Sequence, residues 1–221
     1  MRQVIAIDGP SGAGKTTIAK LIAKELGFDY LDTGALYRTV ALALKNSGIE
    51  IEDSDDKLRD LLDNSRIAFN NGKVFLNGKD VSEDIRFSEI DHYSSVFSAR
   101  KVIRDFLLGV QRDSALNADL VAEGRDTTTV VFPDAQKKVY LSASLEERAK
   151  RRYFQFREKG ILMSIDEARR NIIERDIRDS TREIAPLKIA TDALLIDSSN
   201  LSVEQVTQKI LEFISADTLA D

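Results

Sequence analysis

Gly9-Pro10-Ser11-Gly12-Ala13-Gly14-Lys15-Thr16-Thr17 lies between an apolar run, Val4-Ile5-Ala6-Ile7, and a segment that places Ile18, Leu21, Ile22 and Leu26 on one helical face. Gly9, Gly14, Lys15 and Thr16 fill the spacing G-x4-G-K-[ST], and Gly12 adds a further flexible position. Each residue type has a physical task in binding phosphate. Glycines let the backbone wrap so that its N–H groups converge, a lysine reaches the β- and γ-phosphates, and a hydroxyl faces Mg²⁺. A continuous apolar run before the loop is the pattern of a buried parallel strand. A helix after it directs its N-terminal dipole and free N–H groups at the anion, and Gly27 stands where that helix should stop. Strand, loop and helix in this order predict an α/β protein that binds a nucleoside triphosphate through residues 9–17.

Outward from the loop, five segments read as strands of a parallel sheet: 4–7, 28–31, 119–122, 138–141 and 193–196. Helical stretches separate them, as in a doubly wound α/β fold. Ser144-Leu-Glu-Glu147, Ser164-Ile-Asp-Glu167 and Ser202-Val-Glu-Gln205 each carry the S-x-x-E/Q capping pattern of a helix start. The last helix offers Val203, Val206, Ile210 and Ile214 as a core stripe, and residues 217–221 are expected to fray. One region breaks the rhythm. Residues 67–81 contain Asn71-Gly72 and Asn77-Gly78, the dipeptides favoured in type I′ hairpin turns, and predict a three-stranded antiparallel insert. The 221 residues carry 32 basic and 37 acidic side chains, a net charge of −5, and no cysteine. That balance disfavours binding nucleic acid through a broad basic surface, and disulfides and thiolate metal sites are excluded. No leader or membrane span is expected, and a reducing cytoplasm suits the composition.

The charge is unevenly spread, with nine arginines within residues 148–182, which suggests a compact anionic ligand. Asp32-Thr-Gly-Ala-Leu-Tyr-Arg38 and Glu123-Gly-Arg-Asp126 follow the second and third core strands, so both belong at the carboxyl edge where open α/β sheets bind ligands. Arg38 and Arg125 are candidate phosphate grips, and Asp32 or Thr33 a helix cap. Tyr37 offers a flat contact, and Glu123 or Asp126 is a candidate metal-ordering acid. Arg175, Asp179 and Arg182 share one helical face with Arg178 beside them. The lone histidine, His92, and Tyr93 read as ordinary partly buried residues.

These motifs, with Asn77-Gly-Lys-Asp-Val81, Thr129-Val-Val-Phe-Pro133 and Ala185-Pro-Leu187, resemble those of the bacterial cytidylate kinases, in the family's order and over nearly the whole chain. The resemblance implies a five-stranded P-loop kinase domain over 1–221 with a monophosphate-binding segment near 36–112. It places the β insert near 66–82 and an arginine-rich lid near 148–162. It implies ATP and CMP, with dCMP, as substrates, Mg²⁺ as the companion of ATP held by Thr16, and a monomer. Arg38, Arg125 and Arg182 would hold the CMP phosphate, and Arg175 and Asp179 would face the pentose. Ser95, Arg112 and Asp126 would read cytosine, with Thr33 and Tyr37 lining the same site. Lys15, Arg148, Arg152, Arg157 and Arg178 would stabilise the phosphoryl group in flight. The chain departs from the family pattern at Thr16, where a hydroxyl favours metal binding, and at Thr128, where a Cβ replaces the usual glycine next to the base-reading Asp126. Rival readings are a kinase for UMP, AMP or another metabolite, and a nucleotide-dependent switch. The chain lacks the Asn-Lys-x-Asp guanine motif of a GTPase switch.

Overall fold

A computed structural model describes residues 2–216 apart from Asn71 and Lys159. Residues 217–221 and the Asn71 half of the first Asn-Gly pair lie outside the described residues. The elements run β1 (Val4–Asp8), α1 (Lys15–Leu26), β2 (Asp29–Asp32), α2 (Thr33–Asn46), α3 (Asp55–Asp63), β3 (Ile67–Asn70), β4 (Lys73–Leu76), β5 (Lys79–Asp80), α4 (Ser88–Phe97) and α5 (Lys101–Asp113). They continue with β6 (Leu120–Gly124), β7 (Lys137–Ser142), α6 (Leu145–Glu158), α7 (Ile165–Thr181), β8 (Leu194–Asp197) and α8 (Val203–Ser215).

The five long-range strands form one parallel sheet in the order β2-β6-β1-β7-β8. Every residue of β1 and β6 is buried, because helices cover both faces of the sheet at these central strands. One apolar cluster joins Leu31 and Ala122 to Leu36, Leu44, Leu58, Ile103 and Leu107. The other joins Ile5, Val139 and Leu141 to Ile18, Ile22, Val206 and Ile210. The expected stripe of α8 is thus narrower than its spacing suggests. Val206 and Ile210 are buried, whereas Val203 is exposed.

Local signals end the elements where the sequence predicts. Gly27 takes φ 69°, and the Phe28 amide closes back on the Ala23 carbonyl at 2.9 Å, a Schellman-type stop to α1. Ser164 and Ser202 both complete reciprocal capping boxes. The insert forms an antiparallel sheet in the order β3-β4-β5, and Asn77 and Gly78 turn it with φ 51° and 82°, the two positive values that a type I′ turn needs. Among the described residues no helix is long and apolar enough to cross a membrane.

Candidate functional site

The register of the central strands sets Asp8 beside Gly124 and Asp32 beside Glu123. The loops after β1, β2 and β6 therefore open into one cleft of about 460 Å³, a volume suited to small molecules. Its floor is the loop that precedes α1. Gly9 has φ 151°, and a Cβ there would sit 2.0 Å from the Leu141 carbonyl oxygen, so only glycine lets this loop cross β7. From α6, Arg148 donates to the Ser11 and Ala143 carbonyls and pairs with Asp176. Asp176 in turn accepts from the Ser11 amide at 3.0 Å. Arg151 donates to the Ala13 carbonyl and to both oxygens of Ser198. The loop is thus braced through its carbonyls and the Ser11 amide. Lys15 lies over its own loop, donating to Gly9 and Pro10 oxygens at 2.8 Å each. Burial, with the Arg125 charge, lowers its ammonium to about 7.

Thr16 has its hydroxyl within hydrogen-bonding reach of the buried Glu123 carboxyl, which also accepts from Tyr30 at 2.8 Å. Burial and the nearby Asp32 charge push Glu123 above the usual carboxylate range. One hydroxyl and two carboxyls form an oxygen-only set. Mg²⁺ commonly uses one or two such protein ligands and takes the rest from phosphate and water. The residues present fit that ion.

Across the cleft, Asp32 caps α2 by accepting from the Ala35 amide and grips Arg38 at 2.9 Å. Thr33 donates to the Glu123 carbonyl at 2.7 Å. Arg125 pairs with Asp179 at 2.9 Å, and Arg182 reaches Asp126 at 3.3 Å and Asp179 at 3.7 Å. Burial works against ionising Asp179, but Arg125, Arg175 and Arg182 together hold its carboxyl below the usual range. Buried polar atoms remain open here: Ser95 Oγ and Arg38 Nε have no hydrogen-bond partner among the described residues. Groups left so are costly in a closed core, and a polar ligand would satisfy them.

Lys15, Thr16, Thr33, Tyr37, Arg38, Ser95, Arg125, Asp126, Arg152, Arg175, Asp179 and Arg182 all line this cleft. Gly9, Pro10 and Ala13 of the loop do not, and neither do four of the expected arginines. Arg148 is spent on bracing the loop. Arg157 is exposed, and Arg178 folds back toward the Glu174 carbonyl at 3.3 Å. Arg112 donates from the surface to the carbonyls of Val130 and Val131 at 3.0 Å each. The arginine of α5 beside Asp126 is Arg104, buried, paired with that carboxylate, and 5.4 Å above the Tyr37 ring. A sequence signal for it exists. Arg104 is in helical register with Leu107 and Gln111 on the buried face of α5, and Arg112 is one step beyond. His92 is exposed rather than partly buried.

Sequence reading also passed over Asp91 of α4. It accepts from Arg152 of α6 at 2.5 Å and Arg175 of α7 at 3.1 Å, and lies 3.9 Å from Arg38 of α2. Burial opposes its charge, yet these three guanidinium groups keep its carboxyl well below the usual range.

The family model described as cytidylate kinase matches residues 5–216. This chain belongs to the cytidylate kinase family. Among its relatives, the cytidylate kinase of Thermodesulfovibrio yellowstonii is 50% identical over 221 residues, covering 98% of this chain and 100% of that protein. That of Thermosipho melanesiensis is 49% identical, covering 95% of both. A solved shikimate kinase from Bacteroides thetaiotaomicron is 12% identical with a TM-score of 0.50, covering 96% of this chain and 98% of that one. It shares the fold alone.

Proposed function

We propose that the protein transfers the γ-phosphoryl group of ATP to CMP, with dCMP as a second acceptor, giving ADP and CDP or dCDP. The observation that carries this reading is the pair of opposite chemistries at the two ends of one cleft. At one end, converging loop amides and Lys15 suit a triphosphate. At the other, Arg38, Arg125 and Arg182 stand ready for a monophosphate, and the Arg104–Asp126 pair for a base. Arg104 would donate to cytosine's acceptor edge while Asp126 accepts from the N4 amine. Uracil presents an oxygen where the amine should be, so the carboxylate oxygen facing the base would lack a donor and be repelled. Arg175 and Asp179 would face the pentose, with Thr33, Tyr37 and Ser95 completing the acceptor wall.

Thr16, with Glu123 and Asp32 nearby, would hold Mg²⁺, which when bound neutralises charge on the β- and γ-phosphates. Lys15 leaves the Gly9 and Pro10 carbonyls to meet the phosphates, and Arg152 turns toward the group in flight. An acceptor phosphate oxygen attacks the γ-phosphorus in line, and the β–γ bridging oxygen departs with ADP. Positioning and charge account for the chemistry without a covalent intermediate or a strong base. Closure of the α6 region over the insert side would keep water from competing as acceptor. A monomer acting in the cytoplasm, alongside its nucleotide substrates, belongs to the same proposal.

An acceptor panel with MgATP tests the reading. CMP and dCMP should exceed UMP and AMP by at least about 100-fold in kcat/KM. Faster turnover of UMP or AMP would overturn it.

A further inference from the structure

The segment Thr127–Val131, directly after Asp126, is a π-helical turn. Its inner support is the Asp126 carbonyl, which receives the amides of Val130 at 2.8 Å and Val131 at 3.1 Å. Single wide turns of this kind recur at functional sites, where partners outside the turn can fix its position. This one has two, at opposite ends. On the inside, Asp8 is fully buried and accepts three bonds: from the Thr127 amide at 3.0 Å, the Thr128 amide at 2.7 Å and the Thr128 hydroxyl at 2.6 Å. On the outside, the Arg112 guanidinium holds the Val130 and Val131 carbonyls. Asp8 is the last residue of β1 and leads into Gly9, and Arg112 closes α5, so the turn is pinned between the donor loop and the acceptor helices.

We propose that Thr128 and Arg112 are positioning residues for base selection: they clamp the 127–131 turn from its two ends and so fix the direction of the Asp126 carboxylate. The inference rests on the reading that Asp126 faces the base. The Thr128 side chain supplies the third donor to a carboxylate that water cannot reach. Without it the Asp8 charge is under-satisfied, and the turn shifts to compensate. Asp126 must present an oxygen to one amine, so a displacement of about 1 Å is enough to lose discrimination. ATP would meet the loop beyond Asp8, whose Ser11 and Ala13 carbonyls are held independently by Arg148 and Arg151, and its binding should be little affected.

The test compares kcat/KM for CMP and UMP, and KM for ATP, in Thr128→Val, Thr128→Ser, Arg112→Ala, Arg112→Lys and Asp126→Ala. Thr128→Val and Arg112→Ala should each lower the CMP-over-UMP preference by about three- to tenfold, with KM for ATP within about twofold of the parent. Thr128→Ser, which keeps the hydroxyl, should restore the preference, and Asp126→Ala should lose more of it than either. Arg112→Lys alters the turn from the surface and should lower the preference part of the way, which keeps the test open if a Thr128 variant fails to fold. An unchanged preference in Thr128→Val and Arg112→Ala, beside a collapsed one in Asp126→Ala, overturns the clamp. Equal losses for CMP and UMP with a raised KM for ATP also overturn it, as a merely structural role. An unchanged preference in Asp126→Ala overturns the base-reading assignment beneath it, and the clamp with it.

Discussion

Lys15 shows what a single residue can reveal before any ligand arrives. Folded onto its own loop and buried, its ammonium sits at about 7, far below an exposed lysine, and a triphosphate beside it restores the charge. Above pH 7 the free protein therefore holds Lys15 largely neutral, and ATP binding must take up a proton; below pH 7 the proton is already there. Calorimetric titration at about pH 8 in two buffers of different ionisation enthalpy should show uptake approaching about one proton per ATP, declining toward about pH 6. Binding heats that do not depend on the buffer at pH 8 would contradict it. The residue scale also exposes how far a motif can carry. The residues of the 9–17 loop were legible because glycine spacing and the Lys-Thr pair state their chemistry locally. Arg104 and Arg112 are both arginines of one helix, and the fold puts the first on Asp126 and the second on the Val130 and Val131 carbonyls. Only the apolar register of Ile103 and Leu107 tells which points inward.

At the scale of elements, Asp91 ties α4 to α6 and α7 through Arg152 and Arg175. No local pattern marks it, since its partners are 61 and 84 residues away. Its carboxyl is held below its unfolded value, so the stabilisation is complete at neutral pH and is lost as the pH falls below about 4. Asp91→Asn should cost about 1–3 kcal/mol at pH 7, allowing for the partial exposure of the pairs. The deficit, followed by denaturant unfolding, should shrink in acid. A deficit equally large at pH 3 and pH 7 would point to lost packing instead. The turn of Asn77 and Gly78 is the opposite case, an element readable from two residues because few others tolerate its backbone angles.

Over the whole molecule, two apolar clusters share the parallel sheet, with Leu107 in one and Ile210 in the other, both with no exposed surface. Leu107→Ala and Ile210→Ala should each destabilise by about 2–5 kcal/mol. Because β1 and β6 contribute to both clusters, each variant should still unfold in one transition with coincident circular dichroism and fluorescence curves. Two separated transitions would show that the faces fold independently. The amino-acid sequence by itself determined the parallel sheet, the phosphate loop, the hairpin insert and the helix starts. Their causes act within a few residues: apolar periodicity, capping side chains, and glycine at positive φ. Tertiary structure alone decided the division of labour among the arginines. A guanidinium on a long, flexible side chain can reach a phosphate, a carboxylate or a backbone carbonyl, and the choice depends on which acceptor the fold brings near. Thus Arg152, Arg175 and Arg182 reach the cleft, Arg148 braces the loop, and Arg112 clasps the turn after Asp126.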